Sequence, residues 1–205
     1  MNQIINEKKF IAERTGIPYA NLSQAYLRAE TVLGGLSQYS FQLQGNNVAT
    51  PTITERLLNL NDEFVMTHLT IAVKSVTTAG ATPTDLEQLD AAIYTFSAPT
   101  IFTTNVEPVF NGSFSLTIDR KEFLPQFPCR FFKRVPDTQV TATTQPSYTN
   151  GLYGFAPFEP VKIDGRQTIN AVLDLGAAAT MAGAAGFTNY AVLEVRGYLV
   201  VNAKS

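Results

Sequence analysis

Cysteine and histidine are almost missing: the 205 residues contain one of each, Cys129 and His68. A lone cysteine excludes an internal disulfide framework and leaves the chain compatible with a reducing cytoplasm. One histidine and one cysteine are too few soft ligands for a zinc centre. A Ser-His-Asp or Cys-His arrangement would have to use His68. Charge is also scarce, at 16% of residues with a net charge of -2, which excludes the overall basic balance of a dedicated nucleic-acid binder. The chain has no Walker glycine loop, no dinucleotide-binding fingerprint and no Gly-x-Ser-x-Gly. The carboxylates are scattered, and no pair stands out as a glycosidase pair. No catalytic residue, cofactor-binding residue or metal ligand is therefore expected. The opening residues Met1 to Phe10 lack the apolar run of a secretory signal. The uncharged run Leu175 to Ala191 is broken by glycines and makes a poor membrane span. Synthesis in the cytoplasm and no transmembrane segment are the expectations.

What is present is a chain long enough for one good core, at 45% hydrophobic residues, with one domain as the default. The polar complement is rich in Thr, Asn, Gln and Ser, as in secreted domains and in proteins whose surfaces assembly covers. Asn61 to Val76 organises the rest. After the Asn61-Asp62 turn, Val65, Leu69, Ile71 and Val73 fall on one parity, and Met66, His68, Thr70 and Lys74 on the other. That is the period of a strand with one face on a core. Its β-branched content and lack of Gly and Pro predict a long inner strand. On this register Ile71→Asp prevents folding, whereas Lys74, on the polar side, is dispensable.

Upstream, residues 3 to 14 predict a helix with Ile4, Phe10 and Ile11 as apolar contacts, ended by Thr15-Gly16. Asn21 is placed to cap a second helix, in which Leu22, Ala25, Tyr26, Ala29, Val32 and Leu33 recur at helical spacing up to Gly34-Gly35. Residues 1–35 thus read as a helical arm whose stripe covers either its own domain or a neighbouring copy. If the neighbour is correct, deleting 1–35 leaves a folded β domain that no longer assembles. Downstream, Tyr39, Phe41 and Leu43 alternate as a strand. Thr84 and Glu87 form a capping box for a short helix. Ile93 to Phe96 and Ile101 to Thr104 predict short strands. Asn111-Gly112 predicts a type I′ hairpin turn followed by a strand with Phe114, Leu116 and Ile118 inward. Residues 136–160 form a Pro-rich aromatic loop. Asp164-Gly165 predicts a second hairpin, Ile169 to Leu175 another strand, and Tyr190 to Val201 a long central one. The sum is an all-β chain: an antiparallel β-sandwich (residues 36–205) behind a short helical arm.

The densest basic region places Arg120, Lys121, Arg130, Lys133 and Arg134 among Phe123, Phe127, Phe131 and Phe132. One reading is an edge strand whose phenylalanines fill the core and whose charges protect the edge. The other is contact with single-stranded nucleic acid, or genome, by Arg130, Lys133 and Arg134.

With its arm before the first strand, inner strand at 62–76, short helix at 85–91, aromatic loop and long final strand, the chain resembles the jelly-roll structural proteins of virus and phage particles. The likeness is architectural and covers residues 37 to 201. It implies a non-enzymatic shell component that forms homo-oligomers and also partners other virion proteins, located in the virion after synthesis in the host cytoplasm, with no small-molecule substrate. The arm balances Lys8, Lys9, Arg14 and Arg28 against Glu7, Glu13 and Glu30, unlike the basic arms of many capsid proteins. On this reading the assembly interface comprises Leu22, Tyr26, Ala29 and Leu33 of the arm with Tyr148, Tyr153 and Phe155 of the long loop. Two other functions remain open. A carbohydrate- or receptor-binding sandwich would use the same loop aromatics, and a β-sandwich hydrolase would need a cleft joining two carboxylates.

Overall fold

A computed structural model describes residues 2–45, 55–77, 106–132, 156–183 and 187–203. Helix α1 (Asn2–Thr15) comes first. Its chain ends at Gly16, which takes a left-handed φ of 71° and donates its N–H to the Ala12 carbonyl at 3.0 Å, as a helix C-cap glycine does. Among the described residues eight strands follow: β1 (Ser23–Val32), β2 (Gln38–Phe41), β3 (Glu63–Thr77), β4 (Ser113–Ile118), β5 (Lys121–Pro128), β6 (Ala156–Asp164), β7 (Ile169–Asp174) and β8 (Phe187–Val200). A four-residue helix α2 (Pro108–Asn111) precedes β4.

The strands form two four-stranded sheets, ordered β1-β8-β3-β6 and β2-β7-β4-β5, with every pairing antiparallel. The chain is an all-β sandwich, because strands of both sheets present apolar residues to the space between them. Tyr39 and Phe41 of β2, Phe114, Leu116 and Ile118 of β4, and Ala191, Leu193 and Val195 of β8 all enter the shared core. β8 is central as expected, flanked by β1 and β3.

Five expectations need correction. The second helix is strand β1. Leu27, Ala29 and Leu33 enter the sandwich core, and β1 pairs with β8 from Ser23↔Leu199 to Val32↔Tyr190. The register of β3 shifts at a bulge between Met66 and His68. Phe64 and Met66 therefore point inward with Leu69, Ile71 and Val73, while Val65 joins a second cluster on the outer face of its sheet. One extra residue reverses the parity on either side of it. Asn111-Gly112 is no hairpin turn: Asn111 ends α2, and Gly112 is extended at φ -77°, ψ -172°. The residue remains constrained, because a Cβ there would lie 2.6 Å from the Asp174 carbonyl oxygen. The β4–β5 hairpin instead turns at Asp119 and Arg120, with φ 47° and 69°. Finally, Asp164-Gly165 does not close a hairpin, since it carries the chain from β6 in one sheet to β7 in the other. The segment after the long loop is already strand at Ala156. The expected helix at 85–91, the strands at 93–96 and 101–104, and the loop at 136–155 lie outside the described residues.

Candidate functional site

The fold does not bring the lone cysteine and the lone histidine together. Cys129 is fully buried in the core, and burial pushes its thiol up to about 12, so it does not form a thiolate at neutral pH. His68 is half-buried on the outer face of β3, with Nδ1 2.9 Å from the Thr67 hydroxyl. Among the described residues no group of three or more His, Cys, Asp or Glu side chains is arranged to hold a metal ion.

The most unusual chemistry lies on the outer face of the β1-β8-β3-β6 sheet. Alternation along β1 sends Tyr26, Arg28 and Glu30 outward, opposite the core-facing Leu27 and Ala29. On β3 the residues after the bulge send Thr70, Ala72 and Lys74 to the same side. Lys74 sits beside Tyr190 of β8, and Ala72 lies across Val192 from Glu30. Because the intervening residues are small or apolar, the Lys74 stem can cross β8 and pair with Glu30. Both side chains are buried, at 1% and 0% exposure. Arg28 joins them, its Nε donating to Glu30 Oε1 at 3.0 Å. The Glu30 backbone N–H donates to Glu55 Oε1 at 3.0 Å, and Arg28 exchanges backbone hydrogen bonds with Arg56 at 2.8 and 2.9 Å. Desolvation lowers the Lys74 pKa, and the Glu30 carboxylate opposes that shift. Desolvation, then Glu30 and Glu55, raise that of Tyr190, over whose ring the Lys74 ammonium lies at 5.0 Å. The cluster links β1 to β3 across β8. Buried as it is, it offers no approach to a substrate. The sequence reading missed it because the helical assignment of β1 and the exposed parity of Lys74 separated its members. The odd-numbered Ala25, Leu27 and Ala29 were the available signal.

The proposed arm stripe is divided by the strand. Leu22 is buried under α1 with Ile11, Ile17, Val65, Tyr198 and Val200. Ala29 and Leu33 are buried in the main core. Tyr26 stays at the surface, 39% exposed, as does Val32 at the end of the strand, and the Arg56 guanidinium lies 5.3 Å from the Tyr26 ring centroid. Tyr148, Tyr153 and Phe155 lie outside the described residues. Of the helix residues expected inside, Ile11 is buried, but Phe10 is 50% exposed.

The basic and aromatic region falls on β5, which is an edge strand, and on the 3₁₀ turn Cys129–Phe131 behind it. Phe132 is fully buried, whereas Phe131 is 61% exposed. The Phe127 ring lies 5.6 Å from that of Phe131 and 5.4 Å from that of Phe132. The Lys121 ammonium is 4.8 Å from the Phe123 centroid, and the Arg130 guanidinium 5.8 Å from that of Phe131. Lys133 and Arg134 lie outside the described residues. No protein-family model matches the chain, and no curated protein matches it in sequence.

Proposed function

We infer that this chain is a structural protein of a virus or phage particle that acts by self-assembly, and that its sandwich is of jelly-roll type. The observation that carries this reading is the pairing order. β1 pairs with β8, β2 with β7, β3 with β6 and β4 with β5. That is one long antiparallel hairpin, and the β8–β3 and β7–β4 pairings roll it into two sheets. Double-sheet rolls build viral shells as well as lectins and cupins, and the winding supports the reading.

The sheet edges support association through faces and loops. β5 carries Pro125 and a left-handed Gln126 at φ 47°. β6 carries Pro157 and Pro160. β2 has four residues, and β1 is partly capped by the Arg56 bridge. These features discourage strand addition. Exposed Phe10, Val32 and Leu36 offer apolar contacts for a neighbouring copy. Sedimentation velocity and electron microscopy of the purified chain test the proposal. The expected result is a closed particle or oligomer of defined size. A monomer at every accessible concentration overturns it.

A further inference from the structure

We propose that Lys74 and Glu30 condense with each other into a side-chain amide, a covalent staple between β1 and β3. β1 is an edge strand, and with a single cysteine the chain has no internal disulfide to hold it. The two side chains touch, Lys74 Nζ against Glu30 Oε2, and solvent reaches almost none of either. Ala72 and Val192, beside them on the outer face, are buried as well. The Tyr190 ring lies against the Lys74 ammonium at 5.0 Å. Water is thus kept from the contact. Two groups held together and well oriented react at an effective concentration of about 10⁵ M or more.

Neighbouring groups supply each step. Desolvation lowers the Lys74 pKa and the Arg28 guanidinium adds to that shift, whereas Glu30 and Glu55 oppose it. Burial penalises both charges of the pair, so a proton passed from Nζ to Oε2 leaves a neutral amine against a neutral carboxylic acid. The amine lone pair then attacks Glu30 Cδ, and the carbonyl π electrons move to Oε1. Arg28 Nε, 3.0 Å from Oε1, stabilises that oxyanion. Glu55 lies beside Glu30, its Oε1 accepting the Glu30 backbone N–H at 3.0 Å. It takes a second proton from Nζ and delivers it to the Oε2 hydroxyl as the Cδ–Oε2 bond breaks. The products are an amide, with one proton left on Nζ, and one water; nothing is oxidised or reduced. Arg28, Lys74, Glu30 and Glu55 carry no net charge before the step, and Arg28 with Glu55 carry none after it. The bond therefore removes two buried charges without leaving a net charge behind. It lies within one chain, so it does not depend on the assembly reading.

Intact-mass measurement of the full chain, denatured after incubation in the folded state, tests the proposal. The wild type is expected to be lighter than its sequence mass by one water. Trypsin should leave Lys74 uncut and joined to the peptide that holds Glu30. Lys74→Arg keeps the cation but replaces the amine with a guanidinium that is no nucleophile, so its mass should show no deficit. Glu55→Gln should slow formation of the bond by about a hundred-fold or more, with circular dichroism verifying an unchanged fold. A wild-type chain at its full sequence mass overturns the proposal, whatever the variants do. So does a deficit that persists in Lys74→Arg, because it would arise at another site. Bond formation as fast in Glu55→Gln as in the wild type overturns the proton route through Glu55.

Discussion

A single lysine shows how far a side chain's surroundings govern its energetics. Parity places Lys74 in solvent, where its loss would cost little. In the fold it is buried against Glu30, and removing one partner of a buried pair strands the other charge. Lys74→Ala is therefore expected to destabilise by about 3 kcal/mol, the low end for such losses, because Arg28 still contacts Glu30. Adding Glu30→Gln to Lys74→Met should recover much of that loss. Urea unfolding measures both, and a wild-type midpoint for Lys74→Ala would show that the pair is effectively solvated. Tyr198 gives a residue-level pH effect. Burial raises its phenol from 10.0 to about 12. The unfolded chain then ionises first, so stability present below pH 10 is lost as pH rises toward 12, by at most about 3 kcal/mol. Lys74 works in the opposite sense: its lowered pKa makes stability rise with pH between its folded and unfolded values. Comparing Tyr198→Phe with wild type in alkaline urea titrations isolates the tyrosine. The variant should lose less stability over that interval, and parallel curves would refute the assignment.

At the level of elements, the N-terminal segment divides in two. α1 rests on the outer sheet face through Ile11, with Ile17 and Leu22 after it, so it covers the sandwich without contributing to its main core. Deleting residues 1–17 is expected to leave a folded sandwich weakened by about 3 kcal/mol, the burial of one or two isoleucines. Deleting 1–35 also removes β1, strips β8 of a whole partner strand and takes Leu27, Ala29 and Leu33 from the core. That chain should show no cooperative unfolding. Circular dichroism with urea titration distinguishes the outcomes, and a cooperative transition in the longer deletion would restore the separable arm. β1 was misread because its apolar residues satisfy periods of both two and near four. Only β8 lying alongside selects the strand. The β3 bulge was hidden for a similar reason: Val65 and Met66 are both apolar, so no polar residue marks the change of parity.

For the whole molecule, the same winding that closes the sandwich delays it. β4 and β5 meet across a two-residue turn, whereas β1 pairs residues as distant as Ser23 and Leu199. Loop closure must precede the long-range pairing, so refolding is expected to be slow. Pulsed hydrogen exchange during refolding should protect β4–β5 amides before those of β1–β8, and simultaneous protection would count against a hairpin-first order. Much of the sandwich was legible in local sequence: the alternation of β2, β4, β7 and β8, the α1 terminus at Gly16 and the edge character of the basic–aromatic strand. Period-two burial and helix capping are short-range, so a single segment carries them. Tertiary structure decided the rest. It made β1 a strand, shifted the register of β3, sent the Asp164-Gly165 turn between sheets and drew Arg28, Glu30 and Lys74 into one buried cluster. Each of those depends on which distant strand lies alongside, and that neighbour is chosen by packing between residues far apart in the chain.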